Sequence, residues 1–311
     1  MKTSLKVAGL LLIMFFVTQL IGIAVIGTYS PQTTQIEVNG TLTNSTTYNL
    51  PSWVAPPQEV DESSTLIYII SAIFLGVILM LLLMKFKAEV FLRIWFFVVI
   101  SIALGITINA LMLGVRYSEI ISLAIAIPFA ALKVFRRSFI IHNLTELLIY
   151  PGLAAVFVPL LNIWTIVVLL IIISIYDIYA VWHAGFMQKM AKYQMQKVKV
   201  FAGFFVPNIG KKERELINSA KKSKSKNKGK KIKINIAILG GGDVVFPLIL
   251  AGVVLNTFGL ISAIIISIGA TIGLSYLFYI SEKGKFYPAM PFITAGCFVA
   301  LALVYLINYL Y

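Results

Sequence analysis

Asp177 and Asp243 are residues of a reactive type in places where an ordinary carboxylate does not belong. The chain has 12 acidic residues. Glu37, Glu59, Asp61, Glu62, Glu89, Glu119, Glu213, Glu215 and Glu282 fall in polar loops or at the ends of apolar runs. Glu146 lies in the first turns of one run, within reach of its interface. Asp177 and Asp243 alone stand well inside theirs. A mid-membrane Asp costs about 2.5–3.5 kcal/mol on insertion scales, so each carries a functional expectation, and its removal is expected to favour insertion. Two carboxyls in contact cannot both ionise, so they share one proton. That state suits peptide hydrolysis: the ionised member takes a proton from water while the protonated one polarises the scissile carbonyl. A coupled pair titrates as a unit, so the sequence assigns neither part.

The runs that must position this pair are transmembrane. Of 311 residues 59% are hydrophobic and only 12% charged, against about 45–50% and about 25% in soluble domains. About twenty apolar residues cross a bilayer. On that criterion nine spans are expected, near 7–27, 64–84, 91–113, 117–135, 140–158, 163–185, 236–257, 258–280 and 288–310. The first is too long for a signal-peptide core and has no small-x-small cleavage site, so it reads as an uncleaved anchor. With the N-terminus inside, every Lys and Arg except Arg116 falls on or beside the cytoplasmic side. The positive-inside rule then sets the N-terminus cytoplasmic and the C-terminus extracytoplasmic. The net charge of +14 is explained by this segregation, with no nucleic acid needed. Cys297 is the single cysteine, so no intrachain disulfide forms.

Three parts follow: 1–185 with six spans and Asp177, a Lys-rich loop over 186–235, and 236–311 with three spans and Asp243. The loop run from Lys221 to Lys231 is low-complexity and self-repelling, read as a partly disordered linker beside the bilayer's headgroups. The outer loop 28–63 is polar and holds two sequons, at Asn39 and Asn44.

Depth and flanks favour a meeting of the two aspartates. Each lies about eight residues from the cytoplasmic end of its span, roughly 12 Å deep at 1.5 Å per helical residue. Ser174, Ala180 and Ala184 leave the face around Asp177 small enough for close approach. Gly240, Gly241 and Gly242 precede Asp243, and Pro247 follows it, a combination that loosens helical backbone and admits water and substrate.

The motifs resemble a known family. Tyr176-Asp177 looks like the YD motif of presenilins and signal peptide peptidases. Gly240-Gly241-Gly242-Asp243 is similar to their GxGD motif, with Gly at the variable position. Pro288-Ala289-Met290-Pro291 resembles their PAL motif, with Met in place of Leu. The three fall in order on the sixth, seventh and ninth spans, and nine is the family's count. The resemblance implies a presenilin-like all-α fold and an intramembrane aspartyl protease without metal or other cofactor, acting on single-span membrane-protein substrates. A cytoplasmic loop between the catalytic spans resembles presenilins, and the low-complexity loop an archaeal-type homologue. Nothing in the sequence requires partner subunits.

Two further expectations concern substrate. Pro288 and Pro291 are expected to hold extended backbone at the entrance of the ninth span, on the side of both aspartates. From Lys231 to Ile238, Ile alternates with polar or small residues, including Ile232 and Ile234. That period of two predicts a short edge strand ending near Gly240, able to pair with an unwound substrate. The alternative is a basic flank running straight into the seventh span.

Other chemistries fit less well. A metalloprotease would need a motif such as HExxH, whereas the two His residues, His142 and His183, read as interfacial polar groups. Ser275 has no intramembrane His to activate it. An ion-coupled transporter also keeps Asp beside broken helices, but predicts an inverted repeat and leaves Pro288–Pro291 unexplained.

Overall fold

The computed structural model describes residues 5–38, 41–47, 50–54, 62–136, 138–184, 193–198, 200–208, 235–282 and 287–310. Among the described residues, nine helices are long and apolar enough to cross a membrane. They are α1 (Leu5–Thr28), α2 (Glu62–Lys85), α3 (Glu89–Leu111), α4 (Ser118–Phe135), α5 (Phe139–Phe157), α6 (Ile163–Tyr179), α7 (Gly241–Phe258), α8 (Leu260–Ile280) and α9 (Met290–Leu310). The protein is an integral multi-pass membrane protein of all-α class. Each expected span coincides with one helix to within a few residues at most ends.

Small residues bring the helices together. A Cβ at Gly22 of α1 would fall 2.4 Å from the Leu248 side chain of α7, and one at Gly296 of α9 would fall 2.2 Å from the Gly269 carbonyl of α8. Such close approach is how apolar helices associate when lipid is as apolar as they are. Gln19 of α1 is fully buried and donates from Nε2 to the Val244 carbonyl at 3.0 Å. α1 therefore ties down the start of the helix that carries Asp243.

Two small sheets interrupt the helical pattern. Between α1 and α2, β1 (Gln32–Val38) pairs antiparallel with β2 (Thr41–Thr47). Only Asn39 and Gly40 separate the strands, and Asn-Gly is the favoured two-residue hairpin connection. The sequence predicts no strand between α1 and α2, so this hairpin is an addition. Between α6 and α7, β3 (Gly203–Asn208) pairs antiparallel with β4 (Asn235–Gly240), in register from Gly203 opposite Gly240 to Asn208 opposite Asn235.

The second sheet corrects the seventh span. Its helix starts at Gly241, not 236, because the alternating Ile residues are taken into β4. Asp243 consequently sits in the first turn of α7. The expected strand is present from Asn235 on, while Ile232 and Ile234 lie outside the described residues.

Glu146 is also corrected. It does not reach out to the interface but is buried with Lys133 of α4, the side chains of both 1% exposed and joined in an ion pair. A partner charge on the neighbouring helix removes the need to snorkel.

Candidate active site

Asp177 lies in the last turn of α6, whose N-terminus is fixed by a reciprocal Asn162–Thr165 capping box. Its side chain is 5% exposed. Asp177 Oδ2 accepts a hydrogen bond from the Met290 backbone N–H at 3.0 Å, and the Ala289 amide faces the same carboxyl. The carboxyl thus caps the N-terminus of α9, where helical N–H groups have no internal partner. Three residues earlier, Ser174 Oγ donates to Thr294 Oγ1 at 2.9 Å. Two bonds one turn apart lock α6 to α9.

The Pro288–Pro291 segment explains why that cap is available. Residues 287 and 288 are non-helical, α9 begins at Met290, and Pro291 falls in its first turn, where the missing N–H has no helical partner to lose. Ala289 and Met290 are buried beside Asp177.

Asp243 is half-buried, with the Gly240 amide facing its carboxyl. Pro247 has no N–H for the Asp243 carbonyl, so the ladder is open at that turn. The three glycines differ in what surrounds them. A Cβ at Gly240 would lie 3.1 Å from Asp243 Oδ2, and one at Gly241 would lie 2.8 Å from the Tyr150 hydroxyl of α5. At Gly242 it would meet only Phe246, at 3.6 Å. The first glycine therefore spares the carboxyl, the second packs under Tyr150, and the third has room.

α6 and α7 pack directly on each other, and Asp177 and Asp243 lie close enough for their charges to interact. Tyr176, one residue before Asp177, is half-buried.

β4 leads into this site, and its hydrogen-bond parity can be worked out. The Gly241 N–H donates to the Ala202 carbonyl at 3.2 Å, continuing the β3–β4 register by one pair. Bonded pairs recur every second residue, so Phe204–Leu239 and Val206–Ala237 exchange hydrogen bonds. Gly203, Phe205 and Pro207 then point their backbone groups away from β4, and Ile236, Ile238 and Gly240 point theirs away from β3. Pro207, which has no N–H, fits that outward position. The outward groups of Phe205 bond to Asn143 of α5, and the Gly203 carbonyl bonds to His142 at 2.8 Å. Among the described residues nothing occupies the outward groups of Ile236 and Ile238. Among the described residues the open edge of the sheet is that of β4, and it ends beside Asp243.

Sequence reasoning missed β3, Asn143, Tyr150 and Gln19. β3 had a readable signal: Gly203-Phe204-Phe205-Val206-Pro207-Asn208 is a short apolar run bounded by turn residues. The other three carried none, since each is a polar group on an apolar helix whose partner is far away in sequence.

A family model described as signal-peptide peptidase, presenilin aspartyl protease matches residues 41–310. Two solved structures share the fold. A presenilin family intramembrane aspartate protease in one crystal form aligns with TM-score 0.61 at 17% identity, covering 97% of this chain and 100% of that one. The second crystal form aligns with TM-score 0.61 at 15% identity, covering 98% of each chain. Comparison with curated protein sequences finds no match.

Proposed function

This chain belongs to the signal-peptide peptidase and presenilin aspartyl protease family, and from that premise we propose that Asp177 and Asp243 are the catalytic pair of an intramembrane aspartyl endopeptidase. The observation that carries the assignment is their convergence: α6 and α7 pack on each other with Asp177 in the last turn of one and Asp243 in the first turn of the other, beside the β4 edge.

In the proposed reaction the pair holds one proton. The ionised carboxylate takes a proton from water as the water oxygen bonds to the scissile carbonyl carbon. The carboxylic acid of its partner gives its proton to the carbonyl oxygen. The tetrahedral intermediate then collapses: the C–N bond breaks, the nitrogen takes up a proton, and a carboxylic acid and an amine leave. A bell-shaped pH dependence follows, since one Asp must be ionised and the other protonated.

The scissile bond of a transmembrane helix is hidden in i→i−4 hydrogen bonds, so substrate must be held extended. The open edge of β4 offers a ladder for this at Ile236 and Ile238, leading to Gly240 and Asp243. Ile232 and Ile234 would continue the edge toward the cytoplasm. Gly240 and Gly242 give the substrate backbone close access, Gly241 holds the turn between them under Tyr150, and Pro288, Ala289, Met290 and Pro291 with Tyr176 line the Asp177 side. In this reading residues 1–185 and 236–311 contribute one aspartate each, joined by the 186–235 segment.

The substrates are membrane proteins within the bilayer; we infer single-span segments, cleaved near the cytoplasmic side by this chain without partner subunits. The N-terminus is taken as cytoplasmic and the C-terminus as extracytoplasmic from the Lys and Arg distribution. A mimic presenting a hydroxyl at the scissile carbon is expected to block cleavage, and a metal chelator to leave it unchanged. Inhibition by chelator with indifference to the mimic would overturn the assignment.

A further inference from the structure

We propose that Asn143 is a positioning residue that acts as a surrogate strand, sealing the outer edge of β3 so that an extended substrate pairs with β4 alone, beside Asp243. The proposal rests on the strand-addition reading above.

The Asn143 carboxamide donates from Nδ2 to the Phe205 carbonyl at 2.8 Å and accepts at Oδ1 from the Phe205 N–H at 3.0 Å. Exchange of both bonds with a single residue is what a bonded partner in an antiparallel strand does. One side chain of α5 thus satisfies the position where an added strand would have to pair. His142, its neighbour, takes the Gly203 carbonyl at 2.8 Å and stacks on the Phe205 ring at 4.5 Å. Pro207 has no donor to offer at the remaining outward position. The β3 edge is closed by three separate means, and β4 is left as the edge for pairing.

Asn143 also fixes position along the strand. The buried face of Phe204, Val206 and Leu239 specifies the register, and only a slip of two residues would keep every side chain on its face. The paired bonds to Phe205 oppose that slip, because Pro207 cannot replace Phe205 as donor. Asn143 itself is held on a rigid turn. One turn further along α5, Glu146 pairs with Lys133 of α4, and His142 Nε2 lies 3.6 Å from Glu146 Oε1. Gly203 contributes locally: its φ of +151° and a Cβ position 2.5 Å from the Leu239 carbonyl leave no room for another residue.

The expected consequence is site fidelity. With the β3 edge open, substrate can pair there as well as on β4, and it no longer presents a single bond to the dyad. The test is mass spectrometry of products from a single-span substrate, using the full chain in proteoliposomes, with KM and kcat measured in parallel. Asn143→Ala should add products cut at bonds other than the wild-type one and raise KM several-fold more than it lowers kcat, while a small dyad-directed inhibitor still binds. Asn143→Asp is isosteric, keeps the acceptor and loses the donor. It should give an intermediate spread of products, and it serves if the Ala variant does not accumulate folded. Wild-type product masses with wild-type KM in both variants would overturn the proposal. Ile238→Pro separates the two readings. If it abolishes cleavage while the Asn143 variants cut only the wild-type bond, the clamp alone fails. If Ile238→Pro cleaves normally, strand addition itself fails, and the clamp with it.

Discussion

Asp177 caps the helix that begins with Met290: its Oδ2 accepts the Met290 N–H at 3.0 Å, from within the last turn of α6. The same side chain therefore has a structural and a proposed chemical role, and the two are separable by substitution. Asp177→Asn retains a carbonyl oxygen for the cap and loses the shared proton. It should abolish proteolysis with thermal stability nearly unchanged. Asp177→Ala loses the cap as well and should be less stable by about 1 kcal/mol, the usual effect of removing a cap. A thermal shift series on the three proteins checks both. The finding also revises the expectation that removing either aspartate favours the fold, because at Asp177 the buried carboxyl is compensated.

The glycine triplet should respond unequally. Gly242→Ala meets only ordinary contact with Phe246 and should fold with near wild-type stability, so a loss of cleavage there reports on substrate access. Gly241→Ala forces the Tyr150 ring aside and should lose stability by about 1–3 kcal/mol, as overpacking does. Tyr150→Ala should relieve part of that loss in the double variant, giving a coupling measurable in a mutant cycle. Additive effects at 150 and 241 would contradict the packing described.

Ile238 presents its N–H on the open edge of β4, so proline there removes a donor without breaking the β3 ladder. Ile238→Pro should cut cleavage of a helical substrate at least tenfold, while a small inhibitor aimed at the dyad binds nearly as before. Parallel binding and cleavage assays check it, and equal loss in both would point to damage of the site itself.

The Lys133–Glu146 pair gives a stability test with a definite sign. Glu146→Gln leaves a buried ammonium unpaired and should destabilise by about 3–5 kcal/mol. Replacing both, as Lys133→Met with Glu146→Leu, should restore most of that stability, since a buried ion pair and an apolar pair of similar volume are often comparable. Unfolding of purified single and double variants in detergent measures the difference.

Much of this was legible because the bilayer imposes a strong pattern. Nine apolar runs, and the two acidic residues that stand inside them, follow from hydropathy alone. The strand before Gly240 was legible from Ile alternation, and the break before α9 from Pro288; Pro291 was misread as extended, since it lies in the first turn of α9, where a missing N–H has no helical partner to lose. Glu146 was misread because its partner, Lys133, lies across a helix–helix contact that periodicity does not encode. The depth of Asp243 was misjudged because its flank was counted at helical rise, whereas Asn235–Gly240 is extended and α7 starts just before the carboxyl. Asn143 gave no signal at all: an Asn on an apolar helix acquires its meaning only when Phe205 is brought opposite it.

The most direct measurement is cleavage of a single-span substrate by the purified full chain in proteoliposomes, comparing wild type with Asp177→Asn and Asp243→Asn. We expect a defined pair of product fragments from wild type and none from either variant, with all three proteins folded and the small dyad-directed inhibitor blocking the wild-type reaction. Fragments at an appreciable rate from either variant would contradict a shared-proton pair and remove that aspartate from the chemistry.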